Sequence, residues 1–197
     1  MGIVLTLDAF RDLGAEEEEV VPPFARWDPI DFIPGSFRFT DDYGTSRAEL
    51  IAAGNYDGVY LEPFSKWPNL DEGGAINFEA RYFPLAGFSS RGAVRYTRRL
   101  DDGRWEPARL EHMLAFGALF PEEQLKQRIV GLGSVAMSGG DLLVPILSGS
   151  PETPSRRRFF GLSVTPAIAS WRRISTTIWD GVWNYEYQAL MVRSLAQ

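Results

Sequence analysis

Hydrophobic and polar positions alternate most regularly near the C-terminal end of the chain. Arg173-Ile-Ser-Thr-Thr-Ile-Trp179 and Val182-Trp-Asn-Tyr-Glu-Tyr-Gln188 flank Asp180-Gly181. An Asp-Gly pair between two such runs predicts a two-residue type I′ hairpin, because that turn needs positive φ twice. The two-residue loop sets Ile178 opposite Trp183, Thr176 opposite Tyr185 and Ile174 opposite Tyr187, an aromatic and β-branched inner face. Ser175, Thr177, Asn184, Glu186 and Gln188 make the other face polar, the pattern of a ribbon buried on one side.

The same reading predicts strands at residues 36–40, 59–64 and 75–83, the last alternating Ile76, Phe78 and Ala80 against polar neighbours. Ser46-Arg-Ala-Glu49 is a capping box opening a short helix that stops at Gly54. Residues 93–100 and 104–110 flank Asp101-Asp102-Gly103 as a second hairpin, and 110–119 fit strand alternation and helical spacing equally. Residues 121–130 read as a second helix, with proline and acids at its start and Lys126 and Arg128 at its end. Gly139-Gly140 joins residues 134–138 to 141–147 in a third hairpin, in which Pro145 implies an edge or a bulge. A loop at 148–155 leads to a strand at 158–164.

Residues 1–35 differ. A short strand or extended piece at 2–7 and an amphipathic turn precede the acidic run Glu16 to Glu19, and Pro22, Pro23, Pro29 and Pro34 keep residues 20–35 extended. The expected fold is mainly β (β-rich α+β): an antiparallel sandwich or partly closed barrel with two short helices. Residues 1–35 form an extended N-terminal arm and 36–197 a single domain.

Composition narrows the chemistry. The 197 residues are 45% hydrophobic and 13% aromatic, enough for a packed core. A net charge of −6 disfavours nucleic acid and anionic membranes as partners. Eighteen of the twenty basic residues are arginine, which suits protein interfaces, although codon bias explains it as well. The absence of cysteine excludes disulfides, thiolate catalysis and sulfur-based zinc sites, and a lone histidine, His112, argues against a catalytic triad or a histidine metal cluster. No basic n-region or long apolar run marks a signal peptide or membrane span, so the expected location is cytoplasmic or within a virus-like particle.

Each candidate site competes with a structural reading. Gly131-Leu-Gly-Ser-Val-Ala136 matches a dinucleotide fingerprint, but Gly139-Gly140 and Pro145 follow too soon for the required helix. Glu111-His112 offers acid–base groups, and Asp41-Asp42 and Asp71-Glu72 offer paired carboxylates, the latter two beside glycines that suggest turns. Trp179, Trp183, Tyr185 and Tyr187 suggest a sugar-stacking platform or, more simply, core. Glu16 to Glu19 is a solvated charge run rather than a metal site. Arg156, Arg157 and Arg158, like Arg98-Arg99 and Arg172-Arg173, suit an edge or subunit contact better than nucleic acid.

With so thin a catalytic inventory, the expected function is non-enzymatic. The chain is read as an assembly subunit making protein–protein contacts with copies of itself or other proteins, as components of viral or phage particles do. Phe24, Trp27 and Phe32 of the arm and Arg156 to Arg158 are the expected contact residues, and no cofactor or metal is expected. The alternatives are a β-barrel binding a small molecule or glycan, and a carboxylate-based hydrolase or isomerase.

Overall fold

A computed structural model of the protein describes residues 35–63, 65, 67, 74–99, 103–151, 153–154, 157–159, 162–164, 167–168, 170–179 and 182–195, with the backbone alone from 153 to 168. Thirteen strands and four helices lie among these residues. In chain order they are β1 (Phe37–Asp42), α1 (Arg47–Gly54), β2 (Gly58–Tyr60), β3 (Ala75–Pro84), α2 (Ser90–Thr97), β4 (Glu106–Pro107), α3 (Leu110–Leu119), α4 (Glu123–Lys126) and β5 (Arg128–Val130). The strands that follow are β6 (Ala136–Ser138), β7 (Asp141–Ser150), β8 (Thr153–Pro154), β9 (Arg157–Phe159), β10 (Leu162–Val164), β11 (Ala167–Ile168), β12 (Trp171–Ile178) and β13 (Tyr187–Ser194). The mainly β class holds.

In place of a sandwich or partly closed barrel there is one open sheet, ordered β1-β3-β13-β5-β7-β12-β2, with β4 paired to β13 and β6 to β7. The sheet is mixed rather than antiparallel, since β12 runs parallel to β2 and β13 parallel to β5. Two small pairs, β9 with β10 and β8 with β11, stand apart from it.

Alternate residues of the central strands feed two cores. Ala80, Tyr82, Ile129, Leu147, Ile174, Leu190 and Val192 pack with Leu110, Met113, Leu114 and Phe116 of α3, while Leu50 and Ile51 of α1 pack at the margin. On the opposite face Phe83, Val130, Ile146, Ala189 and Met191 pack with Ala93 and Val94 of α2 and with Trp105, Trp179 and Trp183. A strand buried on both faces has no polar side, which is why 189–192 reads Ala-Leu-Met-Val.

The predicted Asp180-Gly181 hairpin is not formed. β12 and β13 run parallel with β5 and β7 between them. The backbone N–H of Trp179 donates to Leu142 and that of Trp183 to Phe88, so the residues that would close the hairpin are claimed by other segments. Ile178, assigned to the inner face, is 52% exposed, and Tyr185 is 80% exposed.

The second hairpin is also replaced. Residues 90–97 are helix, started by Ser89, whose side chain accepts from the N–H of Gly92. The predicted helix over 121–130 shrinks to four residues, because Arg128–Val130 join the sheet as β5. Residues 110–119 are helical, so the two short helices of the sequence reading become four.

Two expectations hold in detail. Ser46 and Glu49 form the capping box on α1, and β6 and β7 close through Gly139 and Gly140, with φ of 61° and 98°, both in the left-handed region that a type I′ turn demands. Pro145 is not on an edge strand. It lies in interior β7 between the residues paired to β5 (Ile146, Leu147) and those paired to β6 (Asp141 to Leu143), where its missing N–H breaks no ladder. No helix among the described residues is long and apolar enough to cross a membrane.

Candidate functional site

An open cleft of about 710 Å³ lies beside β3, β4, β13 and the start of α3. Arg104, Glu106, Arg109 and Arg193 give it charge, His112 is a further polar lining residue, and Tyr43, Ile76 and Phe78 form much of the rest of the wall. The turn after β1 places Tyr43: its N–H donates to the carbonyl of Gly74, and the Asp42 carboxylate accepts from the N–H of Gly44 at 2.9 Å.

His112 occupies the third position of α3 and serves its N-terminus. Its Nδ1 accepts from the backbone N–H of Arg109 at 3.2 Å, the role a glutamate plays in a capping box. A nitrogen that accepts carries no proton, so the proton sits on Nε2 and is donated to the Tyr43 hydroxyl at 2.6 Å. The next orphan donor, the N–H of Leu110, is taken by Ser134 Oγ at 3.0 Å. Burial, helped by the charge of Arg109, holds the imidazole down to about 3. Both ring nitrogens are committed and the ring stays neutral, so His112 is a helix cap and not a proton shuttle.

Two buried acids, Asp41 at the end of β1 and Glu111 in α3, lie close to each other. Glu111 ties α3 to α1 through Arg47, whose Nε donates to Oε1 at 2.7 Å, while Oε2 has no partner. Asp41 is 1% exposed and neither carboxylate oxygen has a partner. Burial, then the charges of Glu111 and Asp42, push its carboxyl up to about 7. With no donor to stabilise the anion, this carboxyl keeps its proton well above the usual carboxylate range and is about half protonated near pH 7. Neither acid lines the cleft. The sequence held a signal for Asp41: in Phe37-Arg-Phe-Thr-Asp41 it falls in the alternation on the side of the two phenylalanines, which face the core.

On the opposite face Glu79 is also buried, at 4% exposure. Its Oε2 accepts from Nε of Arg193 at 2.9 Å and its Oε1 from Nη2 of Arg81 at 3.0 Å. Both guanidinium groups lie over the Trp105 ring, 4.8 and 5.2 Å from its centroid. Burial works to raise the Glu79 carboxyl, but the hydrogen bonds and charges of Arg193 and Arg81 overcome it and hold it below the usual carboxylate range.

The remaining candidates scatter. Phe24, Trp27, Phe32 and Arg156 lie outside the described residues, as do Glu16 to Glu19 and Asp71-Glu72; the backbone of Arg157 and Arg158 belongs to β9, and their side chains are likewise outside. Arg98 and Arg99 are exposed at the end of α2. Arg172 and Arg173 fasten strands: the N–H of Arg172 donates to Asp57 and its guanidinium to the carbonyl of Asn55, and Arg173 Nε donates to Ser148.

The aromatic platform is not assembled, since Trp179 and Trp183 are core and Tyr185 is exposed. Gly131 and Gly133 follow a strand and enter a turn. The N–H of Gly133 donates to the Ala108 carbonyl, and a Cβ there would stand 2.2 Å from the Pro107 carbonyl oxygen, so this glycine serves close packing and not a phosphate. Among the described residues no group of three or more His, Asp or Glu is placed to hold a metal. No protein-family model, curated protein or solved structure matches the chain.

Proposed function

We propose that the chain is a non-enzymatic assembly subunit that joins a second copy of itself through the outer edge of β2. The observation that carries this reading is the state of that edge. Val59 is 42% and Tyr60 65% exposed, and among the described residues no strand pairs with β2 on its far side. A free edge with apolar side chains is a template for strand addition, and natural edges are usually blunted by charge, proline or a covering element. Antiparallel pairing of β2 with β2 across a two-fold axis would continue the sheet from one copy into the next. Residues 35–197 hold eighteen acidic and eighteen basic residues, so the sheet domain carries no net charge to oppose self-association.

The chemical inventory supports the same reading. His112 is a neutral cap, Glu79 is held by two arginines, and Asp41 and Glu111 are buried and do not line the cleft. The sheet is not closed into a barrel, so a ligand held inside a β-barrel finds no interior here.

Solution mass tests the proposal. The full chain at micromolar concentration should sediment at twice its 22.1 kDa. Val59→Lys with Tyr60→Lys should return it to the monomer with an unchanged circular dichroism spectrum. A full-length chain that is monomeric throughout, or a mass that ignores the double substitution, would overturn the reading.

A further inference from the structure

Another pocket, of about 480 Å³, opens where the end of α4 meets the start of β5 and the chain entering β13. Its size is that of a small-molecule site. The turn ahead of β13 builds one wall. The N–H of Glu186 donates to Asn184 Oδ1 at 2.9 Å and that of Tyr187 to the Asn184 carbonyl at 3.3 Å, while the Arg128 N–H donates to the Glu186 carbonyl at 3.3 Å. The turn is thereby fastened to β5, and it holds Tyr185 in the pocket wall with 80% of its surface exposed. Of the four aromatic residues between 179 and 187, this one alone offers an open ring. Trp179 and Trp183 are core, and Tyr187 packs on Trp183 with the Arg128 guanidinium over its ring.

The polar groups of the pocket decide what it takes. Lys126 Nζ pairs with Glu123 at 2.5 Å and Arg128 Nη1 with Glu186 at 3.3 Å, so each charged side chain in the wall has a partner of opposite sign. A charged ligand has to compete with those pairs, and a neutral one does not. Gln188, in the first turn of β13, lines the pocket with its amide oxygen buried and without a donor. A buried acceptor left unpaired is costly, and a ligand hydroxyl that reaches it relieves the cost. Arg128 and Glu186 are about half exposed and keep further donor and acceptor positions.

The matching ligand is uncharged, donates and accepts at several points, and presents an apolar face to a tyrosine ring. A pyranose does all three, since its rim hydroxyls each donate and accept and C–H bonds cover its face. A hydrocarbon ligand would strand the polar groups instead. We infer that this pocket binds a neutral saccharide, with Tyr185 stacked on a sugar ring, Gln188 Oε1 accepting a hydroxyl proton and the Arg128–Glu186 pair serving neighbouring hydroxyls. The site shares no residue with the β2 edge, so it and the assembly proposal stand or fail separately.

Titration of the isotope-labelled full chain, followed by nuclear magnetic resonance, tests the site. The probes are maltotriose, cellotriose, lactose and N,N′-diacetylchitobiose at millimolar concentration, with glucuronate and glucosamine as charged counterparts. At least one neutral sugar should shift the ring signals of Tyr185 and the side-chain amide of Gln188. Tyr185→Ala should weaken that sugar about tenfold, the loss of one buried ring face, and Tyr185→Trp should retain it. Gln188→Leu should weaken it as well. An exposed ring contributes little to the fold, so the melting temperature of Tyr185→Ala should match that of the native chain and separate lost binding from lost structure. Silence from all the neutral sugars, shifts that map elsewhere, an affinity indifferent to Tyr185→Ala, or tighter binding of the charged sugars would overturn the proposal.

Discussion

Asp41 and Glu79 are both carboxylates with little exposure, on adjacent strands, and they behave in opposite ways. Glu79 faces Arg193 across β13 and has Arg81 two residues along its own strand. Asp41 faces Ile76 across β3, lies beside Glu111 and has no hydrogen-bond donor on either oxygen. One carboxyl is held below its usual range and the other is lifted to about 7. Burial works to raise both carboxyls, most strongly that of Asp41, and only Glu79 has guanidinium donors that offset it. A buried carboxylate that meets guanidinium groups stays an anion, and one that meets an alkyl side chain and another acid keeps its proton.

The comparison breaks most visibly at Asp41. Between its ordinary value of 3.8 and about 7 the folded chain holds a proton that the unfolded chain has released, so Asp41 makes stability fall as pH rises through that window. Asp41→Asn removes the charge and keeps the shape. It should leave stability unchanged below about pH 4 and raise it by about 4 kcal/mol near pH 9, the full linkage of that shift. Urea midpoints across pH decide it, and equal midpoints for variant and native chain near pH 9 would refute a protonated Asp41. Glu79→Ala tests the other half. Two guanidinium groups lose their shared anion over Trp105, which should cost about 2–3 kcal/mol, below the usual figure for a broken buried pair because Arg81 and Arg193 are partly solvated. A loss that vanished in high salt would mean the pair behaves as a surface bridge.

How much of this was legible depended on whether a signal was local. The capping box at Ser46 and Glu49 and the two-glycine turn at 139–140 were readable because each is complete within four or five residues. The Asp180-Gly181 hairpin had equally strong local chemistry and failed, because β7 and the segment around Phe88 claim the backbone of Trp179 and Trp183 from far along the chain. Helix α2 escaped notice since Gly92 and Val94 are poor helix formers, and Asp101-Asp102-Gly103 offered a hairpin turn instead. Of the site, His112 was visible as the lone histidine, but its pairing with Tyr43 spans sixty-nine residues. Arg104, Arg109 and Arg193 come together only when β4, α3 and β13 do.

His112 offers the smallest effect and the finest test of the contrast. In the folded chain its imidazole stays neutral down to about 3, whereas the unfolded one takes a proton near 6.5. Between those values the unfolded state binds more protons, so His112 makes stability rise with pH, opposite in sign to Asp41. From about pH 4 to about 6.5 the two slopes, each up to about 1.4 kcal/mol per pH unit, cancel. His112→Gln keeps an acceptor for Arg109 and a donor for Tyr43, so it should cost only about 1 kcal/mol near neutrality. Measured against the native profile, it should uncover a decline in stability with rising pH that belongs to Asp41. Asp41→Asn should uncover the opposite acid-side rise, and the double variant should follow the native profile from about pH 4 to 6.5. A native-like profile in either single variant across this interval would mean that the two groups do not oppose each other, and that the lone histidine and the orphaned aspartate are not the titrating pair assigned to them.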